Sequence, residues 1–467
     1  MNIIKTSTLQ KIIKDLCITA NTALGKEVYN ALLALYKNET NKNAKNTLLQ
    51  ILQNAKIAKD TNRPLCQDTG IVSVFLHIGK NIIFEDDLEK VINEAVAAAY
   101  TENFYRKSIV SDAVFDRINT KTNTPIVIYT IHDYSDELKI SVMVKGAGSE
   151  NMNALCMLSP AKGKDGIVEF VADTIQKAGS QPCPPIRLGI GIGGTSEKAM
   201  ILSKLALLEP LQSKAKEPFK SLEREILSKV NASNIGAMGL GGNSTCFGVN
   251  ILSVPCHMAS LPVAISVNCH SARHAAAVIK DDSVSYLHED FEAENLPDLS
   301  AKDFVSVNLQ DTEAVKNLKA GQNVLLSGTV YTARDAAHKK ILEMMDKGEE
   351  LPFELKNAVI FYAGPAPCAP GEITGPIGPT TSSRMDKYAP VFYGKGVLAT
   401  IGKGGRSEEA AAAIKANGGV YFTVTGGAAC LLQKCITKSE VIAFEDLGAE
   451  AVFKLELKDF PALTDLK

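Results

Sequence analysis

Residues 186–194 read Ile186-Arg187-Leu188-Gly189-Ile190-Gly191-Ile192-Gly193-Gly194, and the choice between two folds turns on them. The glycines fit GxGxxG, with a strand-like run over Ile186–Ile192 and a helix expected from Ser196. That is the form of a dinucleotide-binding loop. Such a loop needs an acidic residue at the end of a second strand, about 20 residues further on. Glu209 lies near that distance, but it ends a helical run and precedes Pro210. The other reading is a strand-to-helix turn whose glycines let something bulky pack close. The second reading is preferred, so no doubly wound nucleotide fold is expected.

The flanking chain supports that choice. Residues 1–60 carry apolar residues at helical spacing (Leu9, Ile12, Ile13, Leu16; Leu32, Leu33; Leu48, Leu49, Ile51, Leu52), which predicts about three helices. From Arg63 onward, strand-like runs at Gly70–Ile78, Pro125–His132 and Lys139–Val144 mix with helical patterns at Asp87–Thr101 and Asp165–Lys177. Strands and helices without strict alternation predict an α+β domain. Lys280–Lys302 is acidic and turn-rich and reads as a linker. Beyond it, strands are expected at Phe304–Leu309 and Asn323–Tyr331. The proline-dense stretch Tyr362–Arg384 suits neither helix nor central strand and is expected to be an ordered functional loop.

A chain of 467 residues is too long for one ordinary core. A formal net charge of −2 gives no basic field for nucleic acid. No apolar run reaches the roughly 18–20 residues that span a bilayer, and Met1–Asp15 lacks the apolar core of a signal peptide. A soluble, cytoplasmic protein is expected. Its ten cysteines are scattered, with no CxxC pair, so neither a disulfide framework nor a zinc ribbon is expected.

Three cysteines stand in turns beside proline or polar residues: Cys66 in Pro64-Leu65-Cys66-Gln67-Asp68-Thr69-Gly70, Cys183 in Gln181-Pro182-Cys183-Pro184-Pro185, and Cys269 in Asn268-Cys269-His270-Ser271-Ala272-Arg273. Such turns hold a sulfur rigidly. Arg106, Arg187, Arg273, Arg334, Arg384 and Lys403 lie in or beside Gly-, Ser- or Thr-rich turns, where guanidinium forks suit carboxylates.

These segments, with Lys145-Gly146-Ala147-Gly148-Ser149-Glu150-Asn151, Gly328–His338 and Gly378–Asp386, resemble the class I, iron–sulfur fumarate hydratases. They are also similar to the L-tartrate dehydratases, whose two subunits correspond to the two halves of this chain. The resemblance implies an α+β iron–sulfur domain over 1–285, a linker over 286–302, and a swivelling β/β/α domain over 303–467. It implies that Cys66, Cys183 and Cys269 hold a [4Fe–4S] cluster, leaving one iron open as a Lewis acid. It assigns substrate contacts to Gln67, Asp68, Arg106, Gly148, Arg334, Thr380, Arg384 and Lys403. Thr380, Asp68 and His257 become candidates for acid–base work. The histidine matched by His257 comes from the partner subunit in the resembled enzymes, which implies a homodimer with shared active sites. The implied substrates are small dicarboxylates, fumarate and malate first.

Two features depart from the fumarate hydratase pattern. Ala147 stands where a glycine is usual, and Gly239–Ser244 looks more like the tartrate branch. The rivals are therefore a dehydratase of tartrate or a methylated diacid, an NAD-dependent oxidoreductase built on Gly189–Gly194, and a non-catalytic iron–sulfur carrier or sensor.

Overall fold

A computed structural model describes residues 2–212, 214–281, 283–299 and 304–466. The contacts divide the chain into two compact units. One comprises Met1–Thr40 and Ala58–Ala293, the other Asn41–Ile57 and Glu294–Lys467. Among the described residues, no helix is long and apolar enough to cross a membrane.

The first unit opens with helices Thr6–Thr22 and Lys26–Asn38. Leu9, Ile12, Ile13 and Leu16 fall on one helical face, which packs with Val91, Ile92, Ala95 and Val96 of helix Leu88–Glu102 onto a five-stranded sheet. Asp87 starts the latter helix, its carboxylate accepting from the Lys90 amide at 3.0 Å. The sheet runs in the order Ser283–Tyr286, His274–Lys280, Leu138–Lys145, Ile71–Ile78, Val127–His132, antiparallel except for the last pair. Val72, Val74 and Leu76 alternate onto the helix side, while Phe75 faces Met143 and Leu207.

Part of the acidic stretch expected as linker thus forms sheet. Phe291 within it is buried and stacks on Tyr29 at 4.1 Å. Asp282 and residues 300–303 lie outside the described residues.

A four-stranded sheet, in the order Ala154–Leu158, Leu261–Asn268, Ile186–Gly194, Cys246–Cys256, holds the glycine-rich run. Ile186, Leu188, Ile190 and Ile192 point into a core with Ile167, Val171 and Ile175 of helix Gly163–Ala178 and with Leu222, Ile226 and Val230 of helix Phe219–Asn231. The alternate positions Gly189 and Gly191 face helix Ser196–Ala206. A Cβ at Gly189 falls 2.1 Å from the Ser203 carbonyl oxygen, and one at Gly191 falls 2.0 Å from that of Ala199. The bulky neighbour expected from the sequence is therefore a helix backbone lying directly on the strand. The next strand in sequence is Cys246–Cys256, and Glu209 ends no strand, so the nucleotide-loop context is missing. Gly191→Ala is expected to destabilise the fold by about 1–3 kcal/mol through overpacking, read as a lower urea midpoint at unchanged slope.

The second unit has a seven-stranded sheet in the order Val305–Asn308, Asn323–Thr332, Val359–Phe361, Ala399–Gly402, Val420–Thr423, Val452–Leu466, Ile436–Ala443. Its first five strands are parallel, and Val452–Leu466 runs antiparallel to its neighbours. The same long strand also pairs with Asn323–Thr332. Val359 and Phe361 enter one core cluster and Ile360 the other. Burial on both faces explains why the central strand Val359–Phe361 is apolar at every position. The stretch 41–57 is held in this unit by polar residues: Asn54 Oδ1 accepts from the Cys430 and Leu431 amides at 2.9 and 3.1 Å, and Thr425 donates to Gln50 at 2.8 Å.

Candidate functional site

In the first unit, the turn Pro64–Gly70 is fixed at both ends. The Leu65 amide donates to the Asn21 carbonyl at 2.9 Å. Gly70 has φ +62° and sits where a Cβ would fall 2.3 Å from the Lys145 carbonyl oxygen. Within the turn, Asp68 accepts from the Gly70 amide through Oδ1 and from the Ala147 amide through Oδ2, both at 3.0 Å. Its carboxylate therefore joins the Cys66 turn to the Lys145–Asn151 segment. Gly146 is required there, since a Cβ would fall 2.8 Å from Asp68 Oδ2. Thr69 donates to the Arg106 carbonyl at 2.8 Å and Tyr100 donates to that of Thr69, so Arg106 is anchored to the same turn. Gln67 is buried and its amide oxygen lies 3.5 Å from Cys66 Sγ. Gly148 lies in the short helix Ala147–Glu150.

Arg273 is the hub. Its buried guanidinium donates to the Asp68 carbonyl at 2.7 Å and to Asn21 Oδ1 at 3.3 Å. It follows Cys269 on a turn where the Ala272 amide returns to the Cys269 carbonyl at 3.0 Å. Burial alone lowers the Arg273 pKa, but Cys66, Cys269 and Asp68 outweigh it and hold the group charged. Burial pushes the Cys66 thiol up to about 11, with Arg273 pulling against it.

A second buried cation, Lys145, is pushed down to about 8 by desolvation despite pairing with Glu150 at 2.8 Å. Burial alone would raise the Glu150 pKa. Lys145 and Lys204 together hold it at about 2. The sequence reading missed this triad, although its charged residues Lys145 and Glu150 bracket a quoted motif.

Cys183 is buried in left-handed backbone, φ +57°, between Pro182 and Pro184. The three candidate thiols thus stand on stiff turns, and the turns of Cys66 and Cys269 meet at the buried Arg273. An all-sulfur donor set beside fixed positive charge suits an iron–sulfur cluster. Among the described residues, no three His, Cys, Asp or Glu groups gather tightly enough for a single metal ion. A cluster demands less crowding, because each thiolate takes a different iron.

His257 is not brought to these groups within the unit. It is exposed on the turn before strand Leu261–Asn268, whereas Cys269 follows that strand's far end. Eight residues of strand span roughly 26 Å. The Ala259 amide donates to His257 Nδ1 at 3.1 Å. Beside it, a cavity of about 540 Å³ is lined by Ile167, Ile192, Phe219, Leu222 and Met258.

In the second unit, Thr380, Arg384, Lys403 and Arg334 do come together. Arg384 grips Asp335 through Nη2 at 2.7 Å and Nε at 3.2 Å, and its Nη1 lies 3.5 Å from Thr380 Oγ1. Arg334, next to Asp335, pairs with Glu450 at 3.1 Å. The Lys403 amide donates to the Thr380 carbonyl at 3.3 Å. The Thr380 hydroxyl thus lies beside the Arg384 guanidinium, with Lys403 joined to the same loop through its backbone and Arg334 adjoining the aspartate that Arg384 grips; such cations are able to hold carboxylates and stabilise developing negative charge.

His338, near this group, is a packed core residue. It stacks on Tyr388 at 5.1 Å, and its Nδ1–H donates to the Arg334 carbonyl at 2.9 Å. Burial pushes it down to about 4. The unfolded chain, near pH 6.5, takes up this proton first, so the stabilisation is full above pH 6.5 and fades as pH falls toward 4. It is worth about 3 kcal/mol. Urea midpoints should show a flatter pH dependence between 7 and 4.5 for His338→Phe than for wild type.

Comparison with known proteins extends these observations over most of the chain. The family described as "Fumarate hydratase (Fumerase)" matches residues 10–278, and "Fumarase C-terminus" matches 277–466. Fumarate hydratase class I, anaerobic, of Escherichia coli is 31% identical over 92% of this chain and 82% of its own. Fumarate hydratase 2 of Leishmania major is 33% identical over 91% and 78%. The putative L(+)-tartrate dehydratase subunit alpha of Methanocaldococcus jannaschii is 42% identical over 59% of this chain and 99% of its own. With both family parts present in one polypeptide, the chain belongs to the fumarate hydratase family.

Proposed function

We propose that the protein is a class I fumarate hydratase that reversibly hydrates fumarate to (S)-malate, with a [4Fe–4S] cluster held by Cys66, Cys183 and Cys269. The observation that supports this reading is the meeting of two cysteine-bearing turns at one buried arginine: Arg273, on the Cys269 turn, donates to the Asp68 carbonyl of the Cys66 turn at 2.7 Å. When bound, a cluster with only three protein thiolates supplies an open iron that acts as a Lewis acid toward the hydroxyl and a carboxylate.

The chain's own residues do the rest. Arg334, Arg384 and Lys403 bind the substrate carboxylates and stabilise the charge that builds when the carbon beside a carboxylate loses its proton. Thr380 takes that proton in the dehydration direction. A threonine hydroxyl accepts one only after giving up its own proton, for which Asp68 is the proposed acceptor, and Arg384 Nη1, 3.5 Å from Oγ1, lies where it stabilises the alkoxide left behind. Gln67, Asp68, Arg106 and Gly148 complete the substrate contacts. Asp68 is preset by its two backbone donors, and it and His257 remain the other acid–base candidates.

Delivery of His257 by a second copy, in a homodimer, accords with its separation from Cys269 within one chain. The C-terminal part, 303–467, is proposed as a swivelling β/β/α domain following a 1–285 cluster domain and a 286–302 linker. An open iron also makes the enzyme oxygen-sensitive.

Dehydration of tartrate is the second reading. It is favoured by the 42% identity to the tartrate dehydratase subunit and by Gly239–Ser244. An anaerobic assay of iron-reconstituted protein against fumarate, malate, both tartrates and mesaconate decides between them. Highest kcat/KM on fumarate and malate supports the proposal. Preference for a tartrate overturns it, as does absence of any hydro-lyase activity.

A further inference from the structure

Arg406 lies outside the substrate contacts assigned above, three residues after Lys403. Its side chain is fully buried and its Nε pairs with Asp386 Oδ1 at 2.6 Å. Nη1 donates to Thr400 Oγ1 at 3.2 Å, and the guanidinium lies 4.9 Å from the Tyr421 ring centroid and 5.4 Å from that of Tyr362. Asp386 accepts through its other oxygen from the Ser407 amide at 2.7 Å. The ion pair therefore joins the loop that carries Thr380 and Arg384 to the loop that carries Lys403.

Two direct backbone bonds also join these loops, and the neighbouring side-chain bonds lead to the same ring pair. The Tyr421 hydroxyl donates to the Gly404 carbonyl at 2.7 Å and lies 2.8 Å from Ser382 Oγ, which can donate to it in turn. The Ser382 amide donates to the Lys403 carbonyl at 2.9 Å, and the Thr380 amide to that of Tyr362 at 2.7 Å. Gly402 leaves room for the closure, since a Cβ there would fall 1.9 Å from Ser382 Oγ.

We infer that Arg406, paired with Asp386 and clamped between Tyr362 and Tyr421, is a positioning residue that sets Thr380 and Lys403 relative to one another. This inference rests on the proposed hydratase reading. Its consequence is unequal. Lys403 reaches its target on a long, rotatable side chain and can compensate for a shifted backbone. The Thr380 hydroxyl sits one carbon from the main chain and cannot. Loosening the clamp should therefore act on turnover more than on substrate binding.

The test uses Arg406→Lys, which keeps the charge but loses the planar fork, in the reconstituted full-length enzyme. Leu326→Ala serves as the comparison. It empties a fully buried position on strand Asn323–Thr332, in the core cluster that contains neither Tyr362 nor Tyr421. Arg406→Lys should lower kcat by about 10²-fold, the scale of a small misplacement of a reacting group, with KM changing far less. Leu326→Ala should lower the thermal midpoint and leave kcat per cluster unchanged. The inference is overturned if folded Arg406→Lys keeps wild-type kcat, if its loss lies in KM, or if Leu326→Ala loses kcat to the same extent. A wild-type protein inactive on every diacid fails the hydratase reading instead and takes this inference with it.

Discussion

Cys66→Ser, Cys183→Ser and Cys269→Ser are each expected to abolish fumarate hydration, by on the order of 10³-fold or more, and to remove the brown visible absorbance of the reconstituted protein. The scale follows from what is lost: a Lewis acid that carries several kcal/mol of charge stabilisation. Serine preserves the volume but not the soft donor that holds iron. Cys156→Ser and Cys256→Ser, on the strands Ala154–Leu158 and Cys246–Cys256, are the contrasting substitutions and should keep both colour and activity. Full activity in any one of the first three, or a colourless wild-type protein after anoxic reconstitution, would falsify the cluster assignment.

Arg334→Ala should lower kcat/KM by about 10²–10³-fold, the usual cost of deleting one charged donor aimed at developing charge, while iron content persists. Its side chain is only 14% exposed and faces Glu450. Deletion therefore also strands a carboxylate beside the site, where it repels an incoming diacid. Arg334→Lys should recover only part of the loss, because an ammonium cannot reproduce the planar fork. Near-normal kinetics for the alanine variant, with the protein folded, would remove Arg334 from the proposed pocket.

What could be read in advance follows the range of the forces involved. Helix faces such as Leu9–Leu16 and the alternation of Val72, Val74 and Leu76 are local patterns, and they appear in the structure where periodicity puts them. The glycines at 189 and 191 were recognised as close-approach sites, but the partner was not, because the Ser203 and Ala199 carbonyls reach them only through the folded backbone. Cys66 and Arg334 stand out because turn chemistry flags them, whereas Asp68 is reached only through the resemblance. Arg406 does not stand out: a single arginine after two glycines resembles any surface loop until Tyr362, Tyr421 and Asp386 close around it. Gln50 and Asn54 were equally silent. Polar residues on a helix read as solvent-facing, yet both are buried against the backbone and Thr425 of the second unit.

The long strand Val452–Leu466 carries a consequence for how the protein is made. It pairs with Asn323–Thr332, Val420–Thr423 and Ile436–Ala443, so these three strands wait for a mate that the ribosome synthesises after all of them. Until residues 452–466 emerge from the exit tunnel, their open edges and unpaired amides are the stretches on which a chaperone can bind or a neighbouring nascent chain can stick.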